Sequence, residues 1–130
     1  MKKFLICGLG SIGQRHVRAI QTVTGGKSEI AALRLRRRDI VISDRLEVTR
    51  DIKPEEHYGL TTIGNMEDAL AWQPDAIFVT NPISMHVETA TKAAEIGSHI
   101  FIEKPLACSN AGVERLVHLI QEKQLTSMVG

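Results

Sequence analysis

Three glycines at a fixed spacing follow the first apolar run of the chain. Gly8, Gly10 and Gly13 fall in the stretch Leu-Ile-Cys-Gly-Leu-Gly-Ser-Ile-Gly and form the pattern G-x-G-x-x-G. At a strand-to-helix turn, the first glycine permits a tight turn, the second lets the backbone approach a pyrophosphate, and the third lets the helix pack close to the sheet. The free N–H groups of Ser11, Ile12 and Gly13 would face that anion at the positive end of the helix. The pattern predicts dinucleotide binding, and the alternative is a glycine turn without a ligand.

The turn Thr80-Asn81-Pro82 follows another apolar run, and His86 stands at the start of the helical pattern after it. In open sheets of parallel strands, ligands bind beyond the carboxyl ends of the strands. The turn is therefore a candidate for contact with a ligand at this edge of the sheet. A lone histidine in this place is otherwise an ordinary first residue of a helix, so both interpretations of His86 stay open.

Glu103, Lys104 and Pro105 follow a later apolar run and belong at the same edge of the sheet. A lysine held beside a cofactor can donate or accept a proton during a reaction, and a neighbouring carboxylate can orient it. Pro105 makes the turn rigid because its ring fixes φ. These residues suit proton transfer during oxidation or reduction, and the alternative is a charged turn without a role.

Short apolar runs alternate with helical patterns along the chain, which is typical of βαβ units and a parallel sheet. The predicted strands are Phe4–Cys7, Ile30–Leu35, Leu60–Ile63, Ala76–Thr80, Ile100–Ile102 and Thr126–Val129. The predicted helices are Ser11–Val23, Asn65–Trp72 with Asn65 as N-cap, Met85–Ile96, and one that contains Val113, Leu116, Val117 and Ile120. This succession predicts an α/β fold with a doubly wound parallel sheet, the Rossmann fold, in the strand order 3-2-1-4-5-6.

Two helix faces and one irregular segment complete the predicted fold. The first helix is expected to share one face among Ile12, Ala19, Ile20 and Val23. The helix Met85–Ile96 is expected to bury Val87, Ala90, Ala93 and Ala94. Residues 39–59 are charged and irregular, and we interpret them as a loop with local structure, in which Asp39–Ser43 could be a short strand.

The end of the second predicted strand bears on the choice of cofactor. An NAD site usually places Asp or Glu there, about 20 residues after the glycine loop, to bind the ribose 2′-hydroxyl. Here Leu35 takes the acidic position, and Arg36 and Arg37 follow it. Guanidinium groups bind a 2′-phosphate through charge-assisted bonds, so NADP is the preferred cofactor. A shift of register that brings Asp39 into this place would restore NAD, and a solvated run of arginines is the third possibility.

Bulk properties bound the class of protein. The 130 residues suffice for one domain with its own core. The 16 basic and 15 acidic residues nearly balance, and no aromatic residues interleave with the arginines, so neither nucleic acid nor a membrane is an expected partner. Cys7 and Cys108 have no metal-ligand or disulfide spacing, and Cys7 is expected to be a buried inert thiol. No apolar run suits a signal peptide or a membrane span, so the expected location is the cytoplasm.

Together, the glycine loop, the Asn-Pro turn and the Glu-Lys-Pro motif resemble the nucleotide-binding half of the Gfo/Idh/MocA family (glucose–fructose oxidoreductase, inositol dehydrogenase and rhizopine-catabolism proteins) over nearly the whole chain. The resemblance implies an oxidoreductase that transfers hydride between NAD(P) and a sugar, cyclitol or related hydroxyl or carbonyl substrate. It implies that Lys104 polarises or protonates the substrate oxygen and that Glu103 orients Lys104 or the nicotinamide ribose. Thr80-Asn81-Pro82 and His86 would lie on the cofactor side. Family members often have a histidine where His16 stands, and we expect His16 to be packed or solvated rather than to contact a ligand.

Members of that family also carry a second, substrate-binding domain after this point, and similar enzymes assemble through it as homo-oligomers. That domain supplies a further acid/base pair, usually Asp and His. The chain 1–130, as the nucleotide-binding domain without the substrate domain, is therefore expected to bind cofactor and to show little or no turnover. The alternatives are a non-catalytic module that holds or senses a nucleotide, and a purely architectural domain. Lys104 favours the enzyme, because a sensor has no need of a lysine at the nicotinamide end.

Overall fold

Strands and helices alternate along the chain, and the computed structural model describes all of residues 1–130. The strands are β1 (Lys2–Cys7), β2 (Ser28–Leu33), β3 (Ile40–Ile42), β4 (Val48–Arg50), β5 (Thr61–Ile63), β6 (Ala76–Val79), β7 (His99–Ile102) and β8 (Ser127–Val129). The helices are α1 (Ser11–Thr24), α2 (Pro54–Tyr58), α3 (Met66–Ala71), α4 (His86–Glu95) and α5 (Val113–Glu122), and a short 3-10 helix (Ile83–Met85) precedes α4.

Six of the strands form one parallel sheet in the order β5-β2-β1-β6-β7-β8. These six correspond to the predicted strands, so the doubly wound Rossmann order is confirmed. Cys7 pairs with Leu33 on one side and with Val79 on the other, and Val79 pairs with Ile102. Because neighbouring strands end level with one another, the turns after β1, β2, β6 and β7 meet at one edge of the sheet. Ligands bind at this edge in such sheets, near the point where the strand order reverses.

Both faces of the sheet are packed with apolar side chains, which is why its central strands are nearly all apolar. Leu5, Ile77 and Ile100 belong to the larger cluster, which includes residues of α3, α4 and α5, whereas Ile6 and Val17 belong to a smaller cluster under α1. Burying a side chain of this size contributes about 1.5–3 kcal/mol, so the two clusters hold the strand ends in place. No helix is both long and apolar enough to cross a membrane.

The buried face of α1 differs from the predicted one. Ile12, Ala19 and Val23 are exposed. The residues that α1 buries are Gly13, Gln14, Val17 and Ile20. The prediction followed apolar residues only, and this face contains Gln14, a polar residue whose amide is hydrogen-bonded inside the protein.

A similar difference occurs in α4. The helix buries the three predicted alanines, but Val87 is only half-buried. His86 and Thr89 are buried beside the alanines instead. Both are polar residues with hydrogen-bond partners inside the protein, and apolar periodicity does not detect such residues.

Residues 39–59 contain three short elements where the sequence indicates a loop with one possible strand. β3 lies inside the predicted strand Asp39–Ser43 and pairs antiparallel with β4, and α2 begins at Pro54. Gly59, with φ 68°, ends α2 in the left-handed conformation. The sequence does not predict β4 or α2, because β4 is exposed along its whole length and α2 has only 5 residues. Neither element therefore carries an apolar period.

β2 ends at Leu33 and not at Leu35 as predicted. Leu33 is the last residue paired with both neighbouring strands, opposite Cys7 and Ile63. The backbone N–H of Arg34 still donates to Ile63 O at 3.0 Å, but the Arg34 side chain forms an ion pair with Glu55. The segment from Arg34 onward is therefore a turn, and its side chains do not alternate between two faces as those of a strand do.

Candidate functional site

A cavity of about 180 Å³ opens at the carboxyl edge of the sheet, between the turns that follow β1, β2 and β6. Gly8 and Leu9 line it from the first turn, Arg36 from the second, and Asn81 and Pro82 from the third. A larger groove of about 470 Å³ lies between α4 and residues 107–115, away from these strand ends. We assign the candidate site to the smaller cavity, because open parallel sheets bind ligands in the crevice outside their strand ends.

The glycine loop leaves open space at its middle glycine. A Cβ on Gly8, which has φ +104°, would lie 2.7 Å from Thr80 O, and a Cβ on Gly13 would lie 2.0 Å from Gly8 O. Backbone atoms close both positions, so the fold itself requires these two glycines. A Cβ on Gly10 would meet nothing within 4 Å. That space fits the close approach of a phosphate to the backbone, which the sequence pattern predicts for Gly10.

The N-terminus of α1 presents backbone donors to the same space. Gly10 is the N-cap, no side chain caps the helix, and the first turn contains no acidic residue. The N–H groups of Ser11, Ile12 and Gly13 have no intrahelical partner and lie at the positive end of a 14-residue helix. Such an end binds phosphate or carboxylate groups. The structure thus brings the predicted phosphate-loop residues together.

Thr80 supports the glycine loop. Its hydroxyl lies 2.7 Å from Gly8 O and 3.1 Å from Cys7 O, and its backbone N–H donates to Cys7 O at 3.0 Å. The hydroxyl proton is therefore used within the protein. Thr80, predicted to lie on the cofactor side, acts here by fixing the turn between β1 and α1.

His86 joins the turn after β6 to the turn after β7. The residue is 2% exposed, with Nε2 2.8 Å from Asn81 O and Nδ1 3.0 Å from Pro105 O. Asn81 Nδ2 donates to Thr89 Oγ1 at 2.9 Å, whereas Asn81 Oδ1 is buried without a hydrogen-bond partner. A buried acceptor costs free energy unless a donor reaches it. The orphaned oxygen of a cavity-lining residue fits a ligand that brings an amide or hydroxyl donor.

The carboxylate of Glu103 forms a hydrogen bond with His16 of α1. Its Oε2 lies 3.1 Å from His16 Nε2, and both side chains are 19% exposed. The centroid of the His16 ring lies 4.7 Å from that of Phe101 and 5.2 Å from that of Phe78. His16 is thus a packed residue, in line with the sequence interpretation. The resemblance implies that Glu103 orients Lys104 or a ribose, but in this structure its carboxylate is engaged by His16.

Lys104 is exposed just beyond β7. Its backbone N–H donates to Gly130 O at 3.2 Å, and the backbone N–H of Glu103 donates to Val79 O at 3.0 Å. These bonds continue the sheet past the end of β7 and fix the backbone that carries the lysine. The Lys104–Pro105 peptide bond is cis. Because His86 contacts both Pro105 O and Asn81 O, the predicted catalytic lysine and the Asn-Pro turn lie at one edge of the sheet.

The structure separates the two arginines predicted to bind a 2′-phosphate. Arg36 lines the cavity. Arg37 borders a different depression, beside α2, together with Lys53. Arg36 is therefore the member of the predicted pair that reaches the candidate site. Asp39, the residue that would favour NAD, does not line the cavity.

Arg34 and Glu55 form a buried ion pair that the sequence interpretation missed. Arg34 is 6% exposed, and its Nη1 lies 2.6 Å from Glu55 Oε2. Arg34 Nη2 also donates to Arg38 O at 3.1 Å, so the pair fixes the base of the turn that carries Arg36. The sequence contained one signal of this burial, which is the position of Arg34 directly after an apolar strand. An arginine that is buried at such a position needs a partner for its charge.

The two thiols of the chain differ in exposure. Cys7 ends β1 at the cavity and is 1% exposed, and burial raises the pKa of its thiol to about 12. The thiolate is the reactive form, so Cys7 is inert at neutral pH, whereas Cys108 is exposed. We expect iodoacetamide at about pH 8 to label Cys108 alone in the folded chain and to label both residues after unfolding, as read by peptide mass spectrometry. Rapid labelling of Cys7 in the folded chain would contradict this packing of β1.

The chain is similar to dehydrogenases and other oxidoreductases. Residues 2–130 match the Gfo/Idh/MocA family model, described as an oxidoreductase family with an NAD-binding Rossmann fold. The chain is 29% identical over 130 residues to the 4-carboxy-2-hydroxymuconate-6-semialdehyde dehydrogenase of Sphingobium sp. strain SYK-6. That alignment covers 98% of this chain and 38% of the relative.

Solved structures also resemble the chain. The myo-inositol 2-dehydrogenase of Lactobacillus plantarum matches with a TM-score of 0.77 and 28% identity, over 99% of this chain and 36% of that one. The WlbA dehydrogenase of Chromobacterium violaceum, in complex with NADH and UDP-GlcNAcA, shares the fold with a TM-score of 0.75 and 19% identity, over 100% of this chain and 35% of that one. The chain therefore spans somewhat more than a third of the length of these proteins.

Proposed function

Since the chain belongs to the Gfo/Idh/MocA family of oxidoreductases with an NAD-binding Rossmann fold, we propose that it binds a nicotinamide dinucleotide at the strand ends. Its role is hydride transfer to or from a sugar, cyclitol or related hydroxyl or carbonyl substrate. The observation that carries this proposal is the open space at Gly10. An architectural turn needs glycine where backbone atoms crowd the Cβ or where φ is positive, and Gly10, with φ −78°, meets neither condition. A ligand that approaches the backbone explains why residue 10 is also glycine.

The residues that follow the strand ends fit the two halves of a dinucleotide. The N–H groups of Ser11, Ile12 and Gly13 suit the pyrophosphate. The unpaired Oδ1 of Asn81 suits a donor from the nicotinamide half. The cofactor, when bound, supplies or accepts the hydride. What the protein contributes is binding, orientation and a group that carries the proton.

Lys104 is the proposed catalytic residue. An ammonium group beside the substrate oxygen can donate a proton as a carbonyl is reduced, and the neutral amine can take it back in the reverse direction. The lysine itself is exposed, while its backbone is fixed at Gly130 and, through Pro105, at His86. We assign Glu103 to holding this turn against His16, since its carboxylate is already bonded there.

The substrate class is proposed from the relatives, which include a myo-inositol 2-dehydrogenase. Those proteins are nearly three times as long as the matched region. A second, substrate-binding domain that supplies an acid/base pair, and assembly into homo-oligomers, belong to the proposal for the whole protein. The chain 1–130 by itself is expected to bind nucleotide with little or no turnover.

Within this function, we propose NADP as the preferred cofactor and Arg36 as the residue that binds its 2′-phosphate. Arg36 lines the cavity, and Leu35 stands where an NAD site usually has a carboxylate. Arg34 is also close, but Glu55 neutralises its charge. A guanidinium group attracts the 2′-phosphate of NADP, and no carboxylate lines the cavity to repel it.

We expect Arg36→Ala to remove a preference for NADPH over NADH and Arg37→Ala to retain it. Loss of one charge-assisted contact should weaken NADPH binding about tenfold or more and leave NADH binding nearly unchanged. Arg37→Ala is the matched control, because it removes the same charge from the adjacent position, outside the cavity. Calorimetric titration of each variant with both nucleotides measures the effect.

The outcomes of this titration separate the two parts of the proposal. Tighter binding of NADH than NADPH by the unsubstituted chain would overturn the choice of NADP and retain the dinucleotide site. Equal losses in the two arginine variants would overturn the role of Arg36. Binding of neither nucleotide would overturn the proposed function of the chain.

A further inference from the structure

Gln14, in the first turn of α1, is a polar side chain with no solvent exposure (0%). Its Nε2 donates to Leu9 O at 3.2 Å and to Ile40 O at 3.0 Å, and its Oε1 accepts from the Ile42 N–H at 2.8 Å. The Tyr58 hydroxyl donates to Oε1 at 3.4 Å. A glutamine amide has two N–H donors and two acceptor lone pairs, so all four are used. The reversed amide would set Nε2 against the Ile42 N–H, which fixes the orientation.

The bond to Leu9 O orients a peptide unit of the glycine loop. Leu9 O and the Gly10 N–H belong to the same planar trans peptide, in which the C=O and N–H bonds point in opposite directions. Because Gln14 draws Leu9 O toward α1 and β3, the Gly10 N–H points away from them. The next peptide, between Gly10 and Ser11, is also held in place, since the backbone N–H of Gln14 donates to Gly10 O at 2.9 Å.

The hairpin of β3 and β4, to which the Gln14 amide is hydrogen-bonded at Ile40 and Ile42, is itself held by α1. Arg18 Nη1 donates to Ile42 O at 2.7 Å and to Tyr58 Oη at 2.8 Å. Gln21 Nε2 donates to Tyr58 O at 2.8 Å. Side chains of α1 thus tie both β3 and the end of α2 to the helix. The backbone atoms of β3 that bind the Gln14 amide are therefore themselves held in position.

We propose that Gln14 is a positioning residue for the anion site at the N-terminus of α1. It holds the Leu9–Gly10 peptide so that the Gly10 N–H becomes a fourth donor beside those of Ser11, Ile12 and Gly13. The hairpin of β3 and β4 is the support against which the glycine loop is set. This inference rests on the proposed dinucleotide binding, and it adds both a donor and the residue that orients it.

A titration of the unsubstituted chain with ADP, followed by ¹H–¹⁵N NMR, tests the donor directly. We expect the amide signal of Gly10 to shift along with those of Ser11, Ile12 and Gly13. A Gly10 signal that stays still while the other three shift would overturn the inference and leave the proposed function in place. If none of the four shifts, the proposed function and the inference both fail.

The variant Gln14→Met, of similar shape but without an amide, tests the positioning role. We expect about tenfold weaker ADP binding, as for the loss of one bond to a charged group. The ADP-induced shift of Gly10 should disappear while those of Ser11 and Ile12 remain. Gln21→Met is the matched control, because it removes an amide of the same helix that binds Tyr58 but not the glycine loop. Unchanged ADP affinity and an unchanged Gly10 shift in Gln14→Met would overturn the role; should that variant not fold, the titration of the unsubstituted chain decides.

Discussion

Gly10→Ala is expected to lose most of its affinity for a nicotinamide dinucleotide while it keeps the thermal stability of the unsubstituted chain. Gly10 has φ −78° and its Cβ would meet no protein atom within 4 Å, so alanine fits the fold. The methyl group would occupy the space that the pyrophosphate needs. If the anion loses its hydrogen bonds to two of the N–H donors at the N-terminus of α1, binding should weaken on the order of 100-fold. Calorimetric titration gives the affinity, and circular dichroism on heating gives Tm.

Gly13→Ala is the matched contrast, and its expected result is the opposite. The new Cβ would lie 2.0 Å from Gly8 O, a backbone atom that can move only if the loop and α1 separate. We expect destabilisation of about 3 kcal/mol or more, beyond the usual range for overpacking. Nucleotide affinity of Gly10→Ala within twofold of the unsubstituted chain would contradict the placement of the pyrophosphate, and an unchanged Tm in Gly13→Ala would contradict the geometry of the loop.

Glu55→Ala is expected to destabilise the folded chain strongly, although the residue lies far from the glycine loop in sequence. It would leave the guanidinium of Arg34, whose side chain is 3% exposed, without its partner at 2.6 Å. Breaking a buried ion pair on one side costs about 3–5 kcal/mol, because the remaining charge is neither solvated nor paired. For a domain of this size that should lower Tm by about 10 °C or more. Thermal and urea unfolding followed by circular dichroism measure the change.

Two controls separate the buried pair from the general effect of losing a carboxylate. Glu56→Ala removes the next residue of α2, whose pair with Lys53 at 3.2 Å is largely exposed, and should change stability by less than about 1 kcal/mol. The double variant Arg34→Met with Glu55→Leu removes both charges and should recover most of the lost stability. Similar Tm values for Glu55→Ala and Glu56→Ala would show that Arg34 is not buried as described.

The strand order could be predicted from the sequence because the central strands β1, β6 and β7 are short apolar runs that alternate with helical patterns. The glycine loop could be placed because Gly8 and Gly13 stand where the backbone leaves no room for a side chain. Both signals are local. A strand run or a glycine motif is complete within about ten residues, so it does not depend on which distant segment comes to lie beside it.

The partners of buried Gln14 and Arg34 could not be predicted, because they are distant in sequence. Gln14 is bonded to Ile40, 26 residues away, and Arg34 to Glu55, 21 residues away. Apolar periodicity treats each of these residues as exposed, since a polar group is buried only where a partner satisfies it. The partners lie in residues 39–59, the segment with the weakest local pattern. To predict these hydrogen bonds, one would need to know where residues 39–59 lie relative to α1 and to the end of β2.

The arginines after β2 show a second limit. Arg36 and Arg37 are adjacent, and the sequence predicts that they act as a pair. The strand ends at Leu33, so they stand in a turn, where the direction of each side chain depends on the local φ and ψ and not on a simple alternation. The structure places one at the cavity and the other beside α2.

The bond between Thr80 and Gly8 links the candidate site to the order in which the chain folds. The two residues are 72 positions apart. Every pair in the main sheet is parallel, so no two neighbouring strands can form as a local hairpin, and sheets of such distant pairs fold slowly. The glycine loop therefore reaches its final shape only after β6 has been synthesised and docked beside β1. A nucleotide that binds only the finished loop would draw this late step to completion by mass action, so the cofactor would act as a folding ligand before it takes part in any chemistry.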